Sequence, residues 1–415
     1  MTTIVGVLNK RAVAIAADSA VTVGDTHKVM NTGNKLFSLS KFAPVGIAIY
    51  GNASLMDTPW EVIIKSYRRF LNRKKYNYLQ EYVDDFLQFL RNHEFFSSSI
   101  IQKRHLSLQI DTFYRICENK AKKRVNYSIN PTQAIIDELT ECMNSNQSSN
   151  DIIQDFLEYD YSSFIAYAKD EIEAVLKKSK LLSVSDHFDI FAQSYFYYLR
   201  VSPISRSGES GLVFVGYGEE EIYPCLLNVI IAIGFEHKLQ FRYGEKTNIT
   251  NEGVTASIVP FAQVETTQTI IRGINPTFYE IIENTSSNVL KSFQKMVSST
   301  IRVNDANLAD NVDKLDVSAL TKVFTNSARN QFFEKYSRPL VNTIGLLGLS
   351  DMANVAESLV SLTSLVQRMS PKEESVGGPV DVAVISKGDG FIWIKRKHYF
   401  APELNSQFFN NYNND

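Results

Sequence analysis

The sequence predicts a layered α+β fold, for which two sheets between helix layers is one satisfying arrangement. Three observations carry this expectation. β-rich runs open the chain, return in its middle and close it. Stretches with helical spacing separate them, giving the order strands, helices, strands, helices, strands. Small residues crowd the early strands (Ala14, Ala16, Ala17 and Ala48), as a sheet packed closely against other layers requires. No self-similarity at a fixed period suggests a repeat architecture.

Taken in order, Thr3-Ile4-Val5-Gly6-Val7 alternates and is β-rich. Asn9-Lys10 turns the chain into Ala12-Val13-Ala14-Ile15-Ala16-Ala17, the second arm of a hairpin. A polar loop containing Gly24, Asp25, Asn31, Gly33 and Asn34 leads to short strands at residues 35–39 and 45–50. From Ser54 the period changes: Trp60, Ile63, Ile64, Tyr67 and Phe70 form a helical stripe. Helical character continues, with interruptions, to about residue 205, and an Asn/Ser linker crosses 144–150. The aromatic run from Tyr195 to Tyr198 reads as core or interface. Strand signals resume at 211–218, 222–233 and 254–261, and a helix follows from Val264 to about Leu290. Residues 304–342 are polar and helical. A second strong helix covers 351–366, with Val355, Leu359, Leu362 and Val366 as its apolar positions. Gly377-Gly378-Pro379 breaks the chain before a closing hairpin, 380–385 and 390–394, turning at Lys387-Gly388-Asp389.

Bulk properties narrow the function. The 415 residues are 44% hydrophobic and 21% charged, enough to bury a core over about two to three domain-sized units and unlike a disordered or fibrous chain. A net charge of -2 gives no electrostatic reason to expect nucleic acid or a membrane surface as partner. The local basic stretch holding Lys103, Arg104, Arg115, Lys120, Lys122, Lys123 and Arg124 reads as a solvated helix face. Cys117, Cys142 and Cys225 are odd in number and lack ligand spacing, and the six histidines form no metal motif. A disulfide framework and a zinc site are therefore not expected, and a reducing compartment fits. The N-terminus lacks the pattern of a signal peptide and no 18-residue window is uncharged and apolar, so the cytoplasm is the default expectation.

The candidate chemistry begins at Thr2. A methionine before a small residue is normally excised, which would leave Thr2 with a free α-amine beside its own hydroxyl. Nucleophile and base then share one residue, because an α-amine titrates near 7.7–8.0 and can take the hydroxyl proton near neutrality. Asp18 ends the second arm of the hairpin, and its carboxylate can return to the start of the first. Lys35 opens the next strand, where its cation would favour the deprotonated amine and hydroxyl. Gly51, in Tyr50-Gly51-Asn52-Ala53, sits where a strand gives way to a helix, so its N–H can face a developing oxyanion. Taken singly, each has an ordinary structural explanation: a turn aspartate, a strand-end lysine and a punctuating glycine.

Together these residues resemble a family. Residues 2–7, 14–19, 35–39 and 50–53 look like a proteasome β-subunit, and more closely the peptidase subunit of the bacterial proteasome-like heat-shock protease. The resemblance implies a four-layer αββα N-terminal-nucleophile (Ntn) hydrolase sandwich with large helical insertions. The core would comprise 1–70, 208–300 and 349–415, with the closing hairpin and tail in the last part and helical insertions at 71–207 and 301–348. It also implies roles: Thr2 as nucleophile after loss of Met1, Lys35 tuning it, Asp18 orienting Lys35, and Gly51 building the oxyanion hole. The interval from Asp18 to Lys35 is slightly longer than usual. Lys28 is the competing lysine, but no Leu-x-x-Leu pattern follows it as directly. Residues 376–385 resemble the family's Asp-x-x-Ser-Gly-Gly turn, with Glu373 in place of aspartate, Val376 in place of serine, and Ser375 adjacent. Residues 258–263 occupy the family's Ser-Gly turn, where Gln263 substitutes for the serine that accompanies the nucleophile. Ser19, Gln263, Glu373 and Ser375 are thus the supporting set.

The activity implied is that of a threonine peptidase cutting peptides or unfolded protein, with no metal or organic cofactor. A homo-oligomer and an ATPase or other regulatory partner controlling access go with it. Two alternatives stand beside it: an Ntn amidase or acylase acting on a small amide or isopeptide bond, and a catalytically silent scaffold. The insertions match no family; they would block a ring, cap the active-site mouth or bind a partner.

Overall fold

The computed structural model describes residues 2–23, 28–92, 98–201, 208–370 and 377–407. Its first two strands, β1 (Thr3–Asn9) and β2 (Ala12–Ala17), are buried along their whole lengths, which is why they read as continuous runs of small and β-branched residues. They pair antiparallel, with Val5 opposite Ala16 and Val7 opposite Ala14. Asn9 closes their turn: its Oδ1 accepts from the Arg11 and Ala12 amides at 2.8 and 3.3 Å. The expected polar loop contains a small hairpin of its own, β3 (Val21–Val23) and β4 (Lys28–Met30). Next come β5 (Leu36–Ser38) and β6 (Val45–Gly51), then the tight hairpin β7 (Ser54–Leu55) and β8 (Thr58–Pro59). Met56 and Asp57 turn this last hairpin with φ of 46° and 69°, the backbone that a two-residue primed turn needs.

Helix α1 (Trp60–Leu71) buries Trp60, Ile63, Ile64, Tyr67 and Leu71. Phe70, expected in that stripe, is 59% exposed. At 3.6 residues per turn it falls roughly 80° from the stripe's centre, whereas Leu71 returns beneath Tyr67. Helices α2 (Leu79–Asn92), α3 (Ser99–Ala121), α4 (Pro131–Gln147), α5 (Tyr161–Lys178) and α6 (Val184–Val201) follow. Asn130 and Asp160 cap α4 and α5 by accepting from the Gln133 and Ser163 amides. The expected linker at 144–150 is partly helical, because α4 runs on to Gln147.

Strands β9 (Ser210–Gly216) and β10 (Cys225–Phe235) match the sequence signals, but β11 (Lys238–Asn248) was not foreseen. After β12 (Ala256–Ala262) come α7 (Val264–Arg272) and α8 (Pro276–Arg302), two helices where one was expected. Gly273, at φ 70°, ends the first, and Asn275 with Pro276 starts the second. The remaining helices are α9 (Ala306–Asp313), α10 (Ser318–Phe332), α11 (Arg338–Leu346) and α12 (Leu349–Met369). The closing hairpin is β13 (Asp381–Ser386) and β14 (Gly390–Lys395). No helix among the described residues is long and apolar enough to cross a membrane.

The chain divides into two compact units. One comprises Met1–Thr32, Ile249–Val384 and Ile394–Asp415, and it holds β12, β1, β2 and most of β13, neighbours in that order. Val5, Val7, Ala14, Ala16, Val382 and Val384 pack there with Met352, Ala353, Ala356 and Val360 of α12. The expected face is buried only in part: Leu359 is in this core and Val355 packs against it, whereas Leu362 and Val366 are 39% and 37% exposed. Ala353 and Ala356 meet the sheet alongside Met352, Leu359 and Val360, and Leu362 and Val366 lie outside that face.

The other unit comprises Gly33–Asn248 and Ile385–Trp393, with sheet order β11-β10-β9-β6-β5. Ile47, Ile49, Leu212, Phe214, Val229 and Ile231 of that sheet share one core with the helices from α1 to α6. Phe86 of α2 is central, edge-on to Tyr67 at 4.9 Å and to Phe214 at 5.4 Å. The helices of residues 71–207 therefore share the sheet's own core.

Candidate active site

Chain starts usually fray. Here the first described residue, Thr2, is only 6% exposed. Its carbonyl accepts from the Gln263 amide at 3.3 Å, and the register then pairs Thr3 with Ala262. Asp18, 1% exposed, is the hub beside it. Its Oδ1 accepts from the Thr3 amide at 2.8 Å, and its Oδ2 from the amides of Ala20 (3.2 Å) and Gly377 (3.1 Å). One carboxylate thus gathers the start of β1, the end of β2 and the glycine turn before β13. The expectation that Asp18 returns to the start of the first arm is met in the backbone of Thr3.

The supporting residues divide. Ser19 ties down the same glycine turn, its amide donating to Gly377 O at 3.1 Å and its hydroxyl to Pro379 O at 2.5 Å. Gln263 anchors Thr2 through its backbone, while its side-chain Oε1 accepts from Gln367 of α12 at 3.1 Å. Glu373 and Ser375 lie outside the described residues, as does Met1. Two features beside Thr2 had no sequence signal. Ala262 holds φ 65°, a left-handed backbone that costs a non-glycine residue roughly 1–2 kcal/mol. The Thr3 hydroxyl is buried and has no hydrogen-bond partner among the described residues. Sparsely populated backbone and unsatisfied polar groups gather where a structure is over-determined for function.

In the second unit, Lys35 immediately precedes β5 and is 3% exposed. Burying an ammonium is costly unless it is paired, so its placement is a specified feature rather than a solvated strand end. Its carbonyl accepts from the Ile49 amide at 2.8 Å. Gly51 ends β6 at φ 78°, and a Cβ there would lie 2.4 Å from the Glu209 carbonyl oxygen. Only glycine fits. On β6 the Asn52 amide donates to Glu209 of the β9 side, whereas the Ile49 amide faces β5; alternation places the Gly51 N–H on the β5 side, with Lys35. The competing Lys28 is the first residue of β4, in the other unit.

Among the described residues no group of three His, Cys, Asp or Glu side chains could hold a metal. Burial raises the thiols of Cys117 and Cys225, the latter to about 12, so neither is poised as a thiolate.

No protein-family description matches the sequence, and no curated protein does. Among solved structures the chain is similar to Anbu from Hyphomicrobium sp. strain MC1, at 8% identity and a TM-score of 0.30. It is also similar to the Gly-1 mutant of Anbu from that strain, at 9% identity and a TM-score of 0.29. Both alignments cover 100% of this chain and 98% of the other. Likeness of this size carries no argument about activity.

Proposed function

We propose that the chain is a threonine-type Ntn amide hydrolase, a proteasome-like peptidase with a four-layer αββα core whose nucleophile is Thr2 after removal of Met1. One observation carries the reading: the start of the chain is buried and hydrogen-bonded, through Thr2 O to Gln263 and through Thr3 N to the Asp18 carboxylate.

In the proposed reaction Thr2 Oγ attacks the substrate carbonyl carbon while the Thr2 α-amine takes the hydroxyl proton, directly or through water. The Gly51 N–H stabilises the tetrahedral oxyanion, and Lys35 supplies positive charge. The C–N bond then breaks, the leaving amine takes the proton from the Thr2 ammonium, and an ester to Thr2 remains. Water hydrolyses that ester with the same amine as base, which regenerates the hydroxyl. Asp18 fixes the Thr3 backbone and orients Lys35; Ser19 and Gln263 support them, and Glu373 and Ser375 complete the set. The substrate is a peptide or an unfolded protein, and no metal or organic cofactor takes part. A cytoplasmic homo-oligomer, with an ATPase or other partner controlling access, belongs to the same proposal.

The test is hydrolysis of an unstructured peptide by Thr2→Ser and Thr2→Ala variants. Thr2→Ser keeps a hydroxyl beside the amine and retains turnover, whereas Thr2→Ala abolishes it. Wild-type turnover by Thr2→Ala would leave only a scaffold.

A further inference from the structure

The N–H that holds the Thr2 carbonyl belongs to a strained turn. Strand β12 ends at Ala262, whose left-handed φ of 65° leads into Gln263, and the Gln263 amide donates to Thr2 O at 3.3 Å. A non-glycine residue keeps such a backbone only where its surroundings over-determine it. Gln263 is the N-cap of α7, yet its side chain makes no capping hydrogen bond to that helix. Glutamine is outside the short polar residues that cap well, because its amide lies one methylene further out.

The side chain is engaged from α12 instead. Gln367 Nε2 donates to Gln263 Oε1 at 3.1 Å, a contact between residues 104 positions apart. Gln367 lies in the last turn of α12, the helix that Met352, Ala353, Ala356 and Val360 seat among residues of β1 and β2. Its own Oε1 is buried and has no hydrogen-bond partner among the described residues. Turning both amides over keeps the bond between the glutamines and leaves the other Gln367 atom bare. An apolar residue would fill this space without that cost, so what glutamine adds here is its bond to Gln263. The neighbouring Arg368 brings its guanidinium within 3.7 Å of the point where a Cβ on Gly377 would stand, and the Gly377 amide donates to Asp18. The last turn of α12 therefore meets both backbone segments that flank the start of β1.

We propose that Gln367 is a positioning residue for the nucleophile: by holding the Gln263 side chain it fixes the turn at Ala262, and with it the Thr2 main chain. The inference rests on the reading of Thr2 as nucleophile and deepens it. The Thr2 amine and hydroxyl both project from that main chain, so Gln367 governs the alignment of attack and leaves substrate affinity alone.

The probe is a peptidyl electrophile directed at an N-terminal threonine, with the labelling rate at saturation and the half-saturating concentration measured separately. In Gln367→Leu the saturated rate falls roughly tenfold, about the worth of one neutral hydrogen bond, and the half-saturating concentration is unchanged. Its melting temperature stays level or rises, because a buried bare atom has been removed. Gln263→Leu behaves alike, and the double variant is no slower than either single one, since both remove the same bond. Gln367→Glu recovers the rate, because the Gln263 amide can turn over and donate to the carboxylate. Amide exchange rises at Thr3 and Gln263 in the leucine variants, whereas Val5 to Val7 keep their protection. Gln367→Met, unbranched and of similar length, serves if Gln367→Leu does not fold. A wild-type saturated rate in these variants would overturn the assignment while leaving Thr2 in place. So would a raised half-saturating concentration at an unchanged rate, or costs that multiply in the double variant. No labelling of wild type at all would sink the nucleophile and this inference with it.

Discussion

Replacing Asp18 by asparagine keeps the shape of the side chain and removes half of its capacity to accept. The native carboxylate takes three backbone N–H groups, one on Oδ1 and two on Oδ2. An amide has one oxygen. If it faces Ala20 and Gly377, the new NH2 opposes the Thr3 N–H; if it faces Thr3, two donors are stranded. The cheaper orientation loses one bond to a charged acceptor, worth about 1.5–3 kcal/mol, and weakens the other two to neutral strength. A local loss of about 2–4 kcal/mol follows, and Asp18 is too buried for water to compensate. Local opening free energy is read directly by amide hydrogen exchange, so protection at Thr3 should fall roughly 30- to 900-fold. Core amides of β10, in the other unit, should be unaffected. The same variant should lose covalent labelling at Thr2, whose main chain is then no longer fixed. Unchanged exchange at Thr3 and Gly377 would show that the carboxylate does not hold the start of the chain.

Two further substitutions probe the backbone at the site. Gly51→Ala must adopt a left-handed φ at about 1–2 kcal/mol and push its Cβ against Glu209 O, so exchange at the β6–β9 strand end should rise and peptide turnover should fall at least tenfold. Full activity with native protection would remove Gly51 from the oxyanion role. Ala262→Gly relieves the left-handed backbone beside Thr2 and should stabilise its unit by about 0.5–1 kcal/mol, after the entropy that glycine costs, as read in denaturant titration. Destabilisation would mean that the alanine methyl, not the backbone, matters there.

Much of this arrangement was legible in the residues because local pattern and tertiary burial agree. The β1–β2 hairpin reads clearly since Ala14, Ala16, Val5 and Val7 are small or β-branched and buried together. Gly51 reads as special because only a left-handed, side-chain-free residue fits against Glu209. Agreement failed where burial follows geometry rather than hydropathy. β11 was missed because residues 242–246 are polar and exposed, leaving Leu239, Gln240 and Phe241 as its main buried stretch. The inner face of α12 is legible only in part, because Ala353 and Ala356 share it with Leu359 while Leu362 and Val366 lie off it. Gln367 and the strain at Ala262 give no sequence signal, since a single glutamine in a helix or alanine in a strand looks ordinary until its partners are in place. The contact of Gly377 with Asp18 spans 359 positions and depends on topology that no local pattern encodes.

The most direct measurement is the intact mass of the purified protein before and after treatment with an electrophile specific for N-terminal threonine, followed by peptide mapping. The account predicts a chain lacking Met1 that gains a single adduct on Thr2, and no adduct in Lys35→Ala. A chain that retains Met1 and gains no adduct would contradict it.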